Sequence, residues 1–206
     1  MKKQATTFLS ITATLMLSIS LLSFNTLKNT EMNEKKVKTI EYKLEGDIIN
    51  VSADSLWTIV DDGYANAGVW ATNVDHSVGK GTPEFQGATC DERSCDINAT
   101  GFSAITEKLV QYDTSLRELT FSVTEGLPGF VTLAQNHWTV ESLSESTSRL
   151  NMHVTMEMKP FMGALMAGMM RKNLRTLLPT ISNDLKIYAE TGKVSPAKEA
   201  RMASLK

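Results

Sequence analysis

The chain has 206 residues, of which 42% are hydrophobic and 21% are charged, and its formal net charge at pH 7 is −2. This composition is typical of one globular domain with an additional segment. Lysine and arginine are scattered along the chain without forming a basic stripe, so we expect no binding to nucleic acid.

Residues 1–24 have the pattern of a signal peptide or membrane anchor, with two lysines ahead of an apolar run over residues 8–24. If it is not cleaved, the run is about as long as the roughly 17–25 residues that span a bilayer. Ser18-Ile-Ser20 is the best cleavage candidate, and residues 25–36 form a polar tether. We therefore expect the domain beyond the tether to be exported, either periplasmic or extracellular, or anchored to the membrane by this segment.

The first elements of the domain are predicted to be a strand and two short helices. Residues 37–50 alternate loosely between apolar and polar side chains, which is typical of a strand. Ser52 is a favourable N-cap for a helix that ends at residues 61–63. Residues 64–70 predict a second short helix, which with the first is expected to close one end of a sheet.

From residue 73 onward, apolar side chains recur at every second position, which predicts six further strands. The segments with this pattern are residues 74–78, 84–95 (a strand and its hairpin turn), 102–112, 117–125, 130–140 and 150–158. Most are joined by short turns, so the sheet is expected to be antiparallel.

After the last strand the apolar spacing changes to three and four, which predicts one amphipathic helix over residues 161–188. Pro179 predicts a bend within this helix, and Gly192 predicts its end. Residues 195–206 form a polar tail without a core pattern, and we expect the tail to be loosely ordered.

Cys90 and Cys95 frame four residues and leave two interpretations open. In an oxidising compartment they form a local disulfide across a hairpin turn; otherwise they are two free strand thiols. A metal site needs two more ligands, which no nearby histidine or cysteine supplies. We therefore expect no metal and no cofactor.

The order of these elements is that of the helix-grip fold, and three motifs resemble the SRPBCC superfamily. The motifs are Ser52-Ala-Asp-Ser-Leu-Trp57, Glu107-Lys-Leu-Val-Gln-Tyr-Asp113 followed by Arg117-Glu-Leu-Thr-Phe121, and Asp184-Leu-Lys-Ile-Tyr-Ala-Glu190 with Gly192. Over about residues 37–194 the chain is most similar to the polyketide cyclase/dehydrase-like and START-type lipid-transfer branch. The resemblance implies an α+β fold, in which a curved seven-stranded antiparallel sheet wraps around the long C-terminal helix. It also implies that some motif residues hold helix and hairpin in place, namely Trp57, Glu107, Asp113 and Asp184.

A helix-grip domain encloses a cavity between the inward faces of its strands and the sheet-facing side of its long helix. The residues predicted to line it are Phe121, Val123, Trp138, Met152, Val154, Met156, Met162, Met166 and Met170. Seven of the eleven methionines lie within residues 152–170, and thioether side chains adapt to irregular shapes. This favours a small hydrophobic ligand, such as a lipid, an isoprenoid or a polyketide-like molecule. The alternative is that methionine fills a dry core.

The sequence indicates a binding protein for such a ligand, because no compact catalytic set accompanies the apolar positions. The alternative is a cyclase/dehydrase-like enzyme, which requires Glu107, His76 or His137 to face the cavity and move protons. A structural role is the other interpretation of Glu107, and His153 is expected to face solvent. A third possibility, a partner-binding module, predicts an exposed apolar patch.

Overall fold

A computed structural model describes residues 37–99 and 102–206 of the chain. Its strands are β1 (Lys38–Glu45), β2 (Val74–Lys80), β3 (Glu92–Ala99), β4 (Phe102–Asp113), β5 (Glu118–Glu125), β6 (Val131–Ser142) and β7 (Ser148–Met158). Its helices are α1 (Ala53–Asp62), α2 (Ala67–Trp70), α3 (Pro160–Thr191) and α4 (Pro196–Ser204). The predicted signal peptide or anchor and its tether, residues 1–36, lie outside the described residues.

The strands form one antiparallel sheet in the order β1-β7-β6-β5-β4-β3-β2. Consecutive strands from β2 to β7 pair with each other, and β1 pairs with β7 at the far edge. The register shifts twice between β4 and β5, and such irregularities increase local twist. The curved seven-stranded antiparallel sheet and the helix-grip fold predicted from the sequence are confirmed.

The period-two pattern of β7 produces one buried face. Leu150, Met152, Val154 and Met156 are buried while the residues between them are half-buried, because successive strand side chains point to opposite faces. The strand predicted within residues 84–95 begins later than expected, at Glu92, and continues beyond Cys95.

Helix α1 begins where the sequence predicts. Ser52 Oγ accepts a hydrogen bond from the backbone N–H of Ser55 at 3.2 Å, which satisfies one of the free donors of the first turn. Leu56, Trp57 and Val60 are buried on one side of the helix. The ring of Trp57 lies 5.8 Å from that of Tyr112 on β4, so this tryptophan joins α1 to the sheet.

Helix α3 packs along the sheet, but the predicted sheet-facing side is wrong over its first two turns. Gly163 and Ala167 are buried there, whereas Met162 and Met166 are half-buried. The reason is a close approach between backbones, since a Cβ on Gly163 would lie only 2.5 Å from the Cβ of Lys38 on β1. The helix then continues through Pro179 and ends at Gly192, whose φ of 67° is left-handed.

The tail predicted to be loosely ordered instead forms helix α4, which is held by polar contacts. Ser195 caps the helix and donates a hydrogen bond to the buried carboxylate of Asp184. Lys198 is 1% exposed, and its ammonium donates to the backbone oxygen of Val74. The prediction failed because α4 is fixed by hydrogen bonds and ion pairs, which leave no apolar periodicity in the sequence. Within the described residues, no helix combines the length and apolar character needed to cross a bilayer.

Candidate ligand cavity

A cavity of about 220 Å³ lies between the sheet and the second half of α3. This volume is many times the roughly 10–15 Å³ that accommodates one water molecule. Its walls are mostly apolar and come from Ala67, Trp70, Ala71, Val74, Ile97, Ile105, Phe121, Val123, Leu127, Ala134, Trp138, Val154, Met156, Leu174, Leu177, Leu178 and Ile181. Polar groups or thiols are contributed by Asn73, Arg93, Cys95, Glu107, Gln135 and Asn136. The cavity therefore has room for a small, largely apolar molecule.

Five of the nine residues predicted to line a cavity do so, and all five belong to strands. They are Phe121, Val123, Trp138, Val154 and Met156. The other four do not line it and are Met152, Met162, Met166 and Met170. The helical wall is instead built from leucine and isoleucine in the second half of α3, so the methionine-rich first half does not form the cavity. The apolar spacing of that second half was visible in the sequence.

Arg93 and Glu107 form a buried ion pair in the cavity wall. They face each other across β3 and β4, and Arg93 Nε donates to Glu107 Oε2 at 2.6 Å. Arg93 Nη1 also donates to the backbone oxygen of Tyr64 at 2.8 Å. Its guanidinium carbon lies 4.5 Å from the ring centre of Tyr64 and 4.7 Å from that of Phe121, which is a favourable cation–π geometry. The pair is thus enclosed and satisfied by its surroundings.

Burial fixes the protonation of most groups around this pair. Burial works against the charge on Arg93, but the Glu107 carboxylate and other neighbours outweigh it and raise the pKa of Arg93 above its ordinary value. Burial raises the pKa of the Cys95 thiol to about 12, and it also raises the pKa of Cys90 and of Tyr64. At neutral pH the guanidinium is therefore charged, while both thiols and the phenol are neutral.

The two cysteines are free, buried thiols in the structure, which is one of the two interpretations that the sequence left open. Cys95 Sγ lies 3.8 Å from Glu107 Oε2 and donates a weak hydrogen bond to it. Because the thiolate is the reactive form of cysteine, raised pKa values make both thiols poor nucleophiles. The cavity therefore contains no activated cysteine.

Asn73 supplies a polar group in the cavity that lacks a partner. Its side-chain oxygen is buried and accepts no hydrogen bond from the described residues. By contrast, the Asn136 side-chain oxygen accepts from Trp138 Nε1 at 2.9 Å. A buried polar atom without a partner carries a desolvation cost, so Asn73 is available to a bound molecule with a polar group.

None of the three histidines lines the cavity. His76 is exposed on β2, with Asp96 3.8 Å away. His137 contacts the hydroxyls of Thr120 and Thr139 at 2.9 and 3.1 Å, on the face of β6 opposite Trp138. His153 lies opposite His137 across β6 and β7 and is half-buried, on the outer face where the sequence placed it. Of the three residues that the enzyme hypothesis named, only Glu107 faces the cavity.

The other motif residues have structural contacts. Asp113 Oδ1 accepts hydrogen bonds from the backbone N–H groups of Ser115 and Leu116 in the turn that joins β4 to β5. Asp184 on α3 accepts from the backbone N–H of Thr72 at 2.7 Å, in addition to Ser195. Both carboxylates therefore fix loops, as the resemblance implied. No group of side chains suited to hold a metal ion occurs among the described residues.

Solved structures with similar folds include enzymes and a protein of unstated function. Norcoclaurine synthase from Thalictrum flavum in complex with dopamine and hydroxybenzaldehyde has 16% identity and a TM-score of 0.57, over 77% of this chain and 90% of that chain. The aromatase/cyclase Zhui from Streptomyces sp. R1128 has 11% identity and a TM-score of 0.52, over 77% and 99%. The protein TTHA0849 from Thermus thermophilus has 14% identity and a TM-score of 0.56, over 75% and 99%. At these identities the likeness concerns the fold alone.

The sequence itself is matched by one family, although a search of curated proteins found no match. The match covers residues 42–182, which is more than half of the chain. It runs from β1 to the second half of α3 and so includes nearly all of the elements that enclose the cavity. The chain belongs to the polyketide cyclase / dehydrase and lipid transport family.

Proposed function

We propose that this protein is a binding protein that holds a small hydrophobic ligand in the cavity between the sheet and α3. The supporting observation is the cavity of about 220 Å³, whose walls are mainly aliphatic and aromatic. Burying apolar ligand surface contributes roughly 25 cal/mol per Å², so such walls favour a molecule of the same character. A lipid fragment, an isoprenoid or a polyketide-like molecule has this chemistry.

We further propose that the ligand carries one polar group. Asn73 offers an unpartnered side-chain oxygen, and Gln135 supplies a side-chain amide in the same wall. A hydrogen-bond donor on the ligand that bonds to the Asn73 side-chain oxygen would remove the desolvation cost of that oxygen. A pure hydrocarbon would leave that cost in place. An alcohol or a protonated carboxylic acid with an apolar body, which can donate to this oxygen, therefore fits better than a hydrocarbon.

Binding without turnover is favoured because Glu107, the candidate acid or base that the described residues place in the wall, is already engaged. The Glu107 carboxylate is bonded to Arg93 and receives the weak bond from Cys95. A general base must reach the proton that it removes, and a carboxylate held by a guanidinium has few free positions. The histidines lie elsewhere, and the thiols are neutral.

One observation favours a second candidate function, a cyclase/dehydrase-like enzyme. Glu107 does face the cavity, and it is 5% exposed. A ligand group that displaced Cys95 from the carboxylate would place a base against a reactive carbonyl compound. The two functions differ in whether a recovered ligand is converted by the purified protein.

Native mass spectrometry of protein purified from its own host tests the binding function. We expect a bound small molecule that is released on unfolding. Ala134→Phe and Val123→Phe place a ring in the cavity, and Val110→Phe on the exposed face of β4 is the matched control. We expect both cavity variants, once shown to be folded by circular dichroism, to lose the ligand and the fluorescence enhancement of N-phenyl-1-naphthylamine. Folded cavity variants that bind like the control would contradict the proposal.

Incubation of the recovered ligand with fresh protein separates the two candidates. Binding alone predicts an unchanged ligand in chromatography with mass detection. A new product that disappears in Glu107→Gln, while the ligand still binds, would establish the enzyme instead.

We also propose that the domain is exported or tethered to the membrane. Support comes from the two lysines and the apolar run of residues 8–24. Fractionation of the host, with N-terminal sequencing of the mature protein, tests this. Protein found in the cytosol with residues 1–24 intact would contradict it.

A further inference from the structure

Three large apolar side chains on the first half of α3 are exposed, and we refer to them as the α3 apolar face. Phe161, Leu165 and Met169 are 80%, 69% and 47% exposed. They recur every four residues, so they lie on one side of the helix and extend over about 12 Å. The opposite side is buried at Gly163 against Lys38 of β1. The α3 apolar face therefore contributes nothing to the core that the described residues form.

All charged side chains in the first part of α3 are positive. Residues 159–183 contain Lys159, Arg171, Lys172 and Arg175 but no aspartate or glutamate. Within the described part of the chain, none of these four cations forms an ion pair. Lys172 and Arg175 are exposed. Because Lys172 follows Leu165 by seven residues, or two turns, it lies on the same side of the helix. The α3 apolar face is therefore followed, on the same side of the helix, by unpaired positive charges. This combination is complementary to a surface that is both apolar and negatively charged.

The point at which the chain enters the described domain favours a membrane as that surface. Lys38 lies opposite Met158 in the register of β1 and β7, and α3 begins two residues after Met158. The chain therefore enters the domain at the end where the α3 apolar face begins. The twelve-residue tether of residues 25–36 reaches at most about 40 Å. An apolar run anchored in a bilayer would thus hold the α3 apolar face close to the lipid surface.

A second copy of the chain is a poorer occupant. In a symmetric dimer the same patch meets itself, so the cations beside each α3 apolar face would be brought near those of its partner. No carboxylate within residues 159–183 is available to offset that repulsion. Anionic phospholipid offers both an apolar layer and negative charge.

We propose that the α3 apolar face docks onto the surface of a bilayer that contains anionic phospholipid. Phe161, Leu165 and Met169 enter the boundary between headgroups and acyl chains, and Lys172 and Arg175 contact phosphates. Docking orients the domain so that the helix that walls the cavity lies along the membrane. This inference is independent of whether the cavity holds a ligand, since none of the five side chains that it uses lines the cavity.

Fluorescence quenching in the full chain tests the docking. A bimane label is attached at Leu165→Cys, or at Leu116→Cys as the control. Leu116 is 59% exposed in the turn between β4 and β5. That turn lies at the opposite end of the sheet from Met158, because Glu118 pairs with Thr139 near the Ser148 end of β7. Cys90 and Cys95 are buried, so labelled wild-type protein measures their background.

The labelled chains are reconstituted in vesicles of phosphatidylcholine with brominated acyl chains, with or without phosphatidylglycerol. We expect the label at residue 165 to be quenched, more strongly with phosphatidylglycerol, and the label at residue 116 to stay bright. A bright label at residue 165 in both lipid mixtures would overturn the proposal. This holds whether a second copy of the chain or the apolar run of residues 8–24 then covers the α3 apolar face. Equal quenching of both labels would also overturn it.

Charge reversal tests the electrostatic part. Lys172→Glu is compared with Lys193→Glu, an exposed lysine beyond the other end of α3. In vesicles with phosphatidylglycerol, we expect Lys172→Glu to lower the ratio of docked to undocked protein by at least about fivefold. This is the usual contribution of one cation near such a surface. Lys193→Glu should leave the ratio unchanged. An equal effect of both variants would show that only net charge matters and would overturn the assigned orientation.

Discussion

Arg93 on β3 and Glu107 on β4 are cross-strand partners whose side chains meet at 2.6 Å inside the wall of the cavity. Their side chains are only 6% and 7% exposed. Arg93 also bonds to the backbone of Tyr64, between α1 and α2, so the pair joins the sheet to the helices that close its end. This charged pair in the cavity wall is therefore part of the scaffold.

This pair predicts a large cost when one member is removed. Arg93→Met leaves a buried carboxylate without its cation, and we expect the free energy of unfolding to fall by about 3–5 kcal/mol. Arg93→Met combined with Glu107→Met removes both charges and should cost less than the sum of the two single changes. Urea denaturation followed by circular dichroism measures this. Additive single and double effects would show that the two side chains do not depend on each other.

The contact between Ser195 and Asp184 predicts that helix α4 contributes to stability. Ser195→Ala removes both the N-cap of α4 and a donor to a carboxylate that is 0% exposed. We expect a loss of about 1–3 kcal/mol in thermal or chemical unfolding. Ser204→Ala, an exposed serine at the end of the same helix, is the control and should stay within about 0.5 kcal/mol of wild type. A similar loss in both variants would contradict the role of the cap.

The docking of α4 is expected to weaken in acid. Two hydrogen bonds from Arg201 lower the pKa of Asp75 below its ordinary value. The folded state therefore gains stability from this pair above the pKa of the unfolded chain, about 3.9, and loses it as the pH falls through the lower folded value. We expect Arg201→Gln to be slightly less stable than wild type at about pH 6 and equal to it in strong acid. A difference that persisted in strong acid would contradict this assignment.

Two glycines of α3 predict opposite effects of the same substitution. At Gly163 an added Cβ would lie 2.5 Å from Lys38 Cβ, so Gly163→Ala must push the helix away from β1 and lower the melting temperature. At Gly168 no atom lies within 4 Å of the added Cβ. Gly168→Ala should therefore stabilise the exposed helix by up to about 1 kcal/mol. Stabilisation by both changes would show that α3 does not approach β1 so closely.

The thiols predict slow alkylation. Burial raises the pKa of Cys90 and Cys95, and both side chains are enclosed, so iodoacetamide should react slowly with native protein and quickly after denaturation. The intact mass of protein from an oxidising compartment distinguishes the alternative, because a disulfide lowers the mass by two hydrogens. Rapid labelling of native protein would contradict the buried positions.

The strands could be predicted because their apolar residues alternate, as in β7, where Leu150, Met152, Val154 and Met156 face inward. The sheet-facing side of α3 could not, since apolar residues surround its first turns. Phe161, Met162, Leu165 and Met166 are all apolar, so their spacing is compatible with more than one buried side. Gly163 decides which side is buried, because the absence of a side chain there lets the helix approach Lys38 of β1.

Arg93 was missed for a related reason. Arginine is usually exposed, and its burial here requires Glu107, which lies fourteen residues away in sequence. The two meet only in the register of β3 and β4, and β3 begins later than the sequence suggested. Asn73 gave no signal either, because a lone asparagine between a helix and a strand is normally a turn residue.

By itself, the sequence determined the seven antiparallel strands, the capped first helix, the long amphipathic helix and the family, because these depend on periodicities and motifs that each segment carries alone. Only the tertiary structure decided which half of α3 closes the cavity, which cation balances Glu107, and that the polar tail becomes a docked helix. Those features depend on contacts between distant segments. The spacing of residues in the sequence determines which side chains lie on the same side of a helix or strand. Close packing and charge pairing between helices and strands determine what packs against that side.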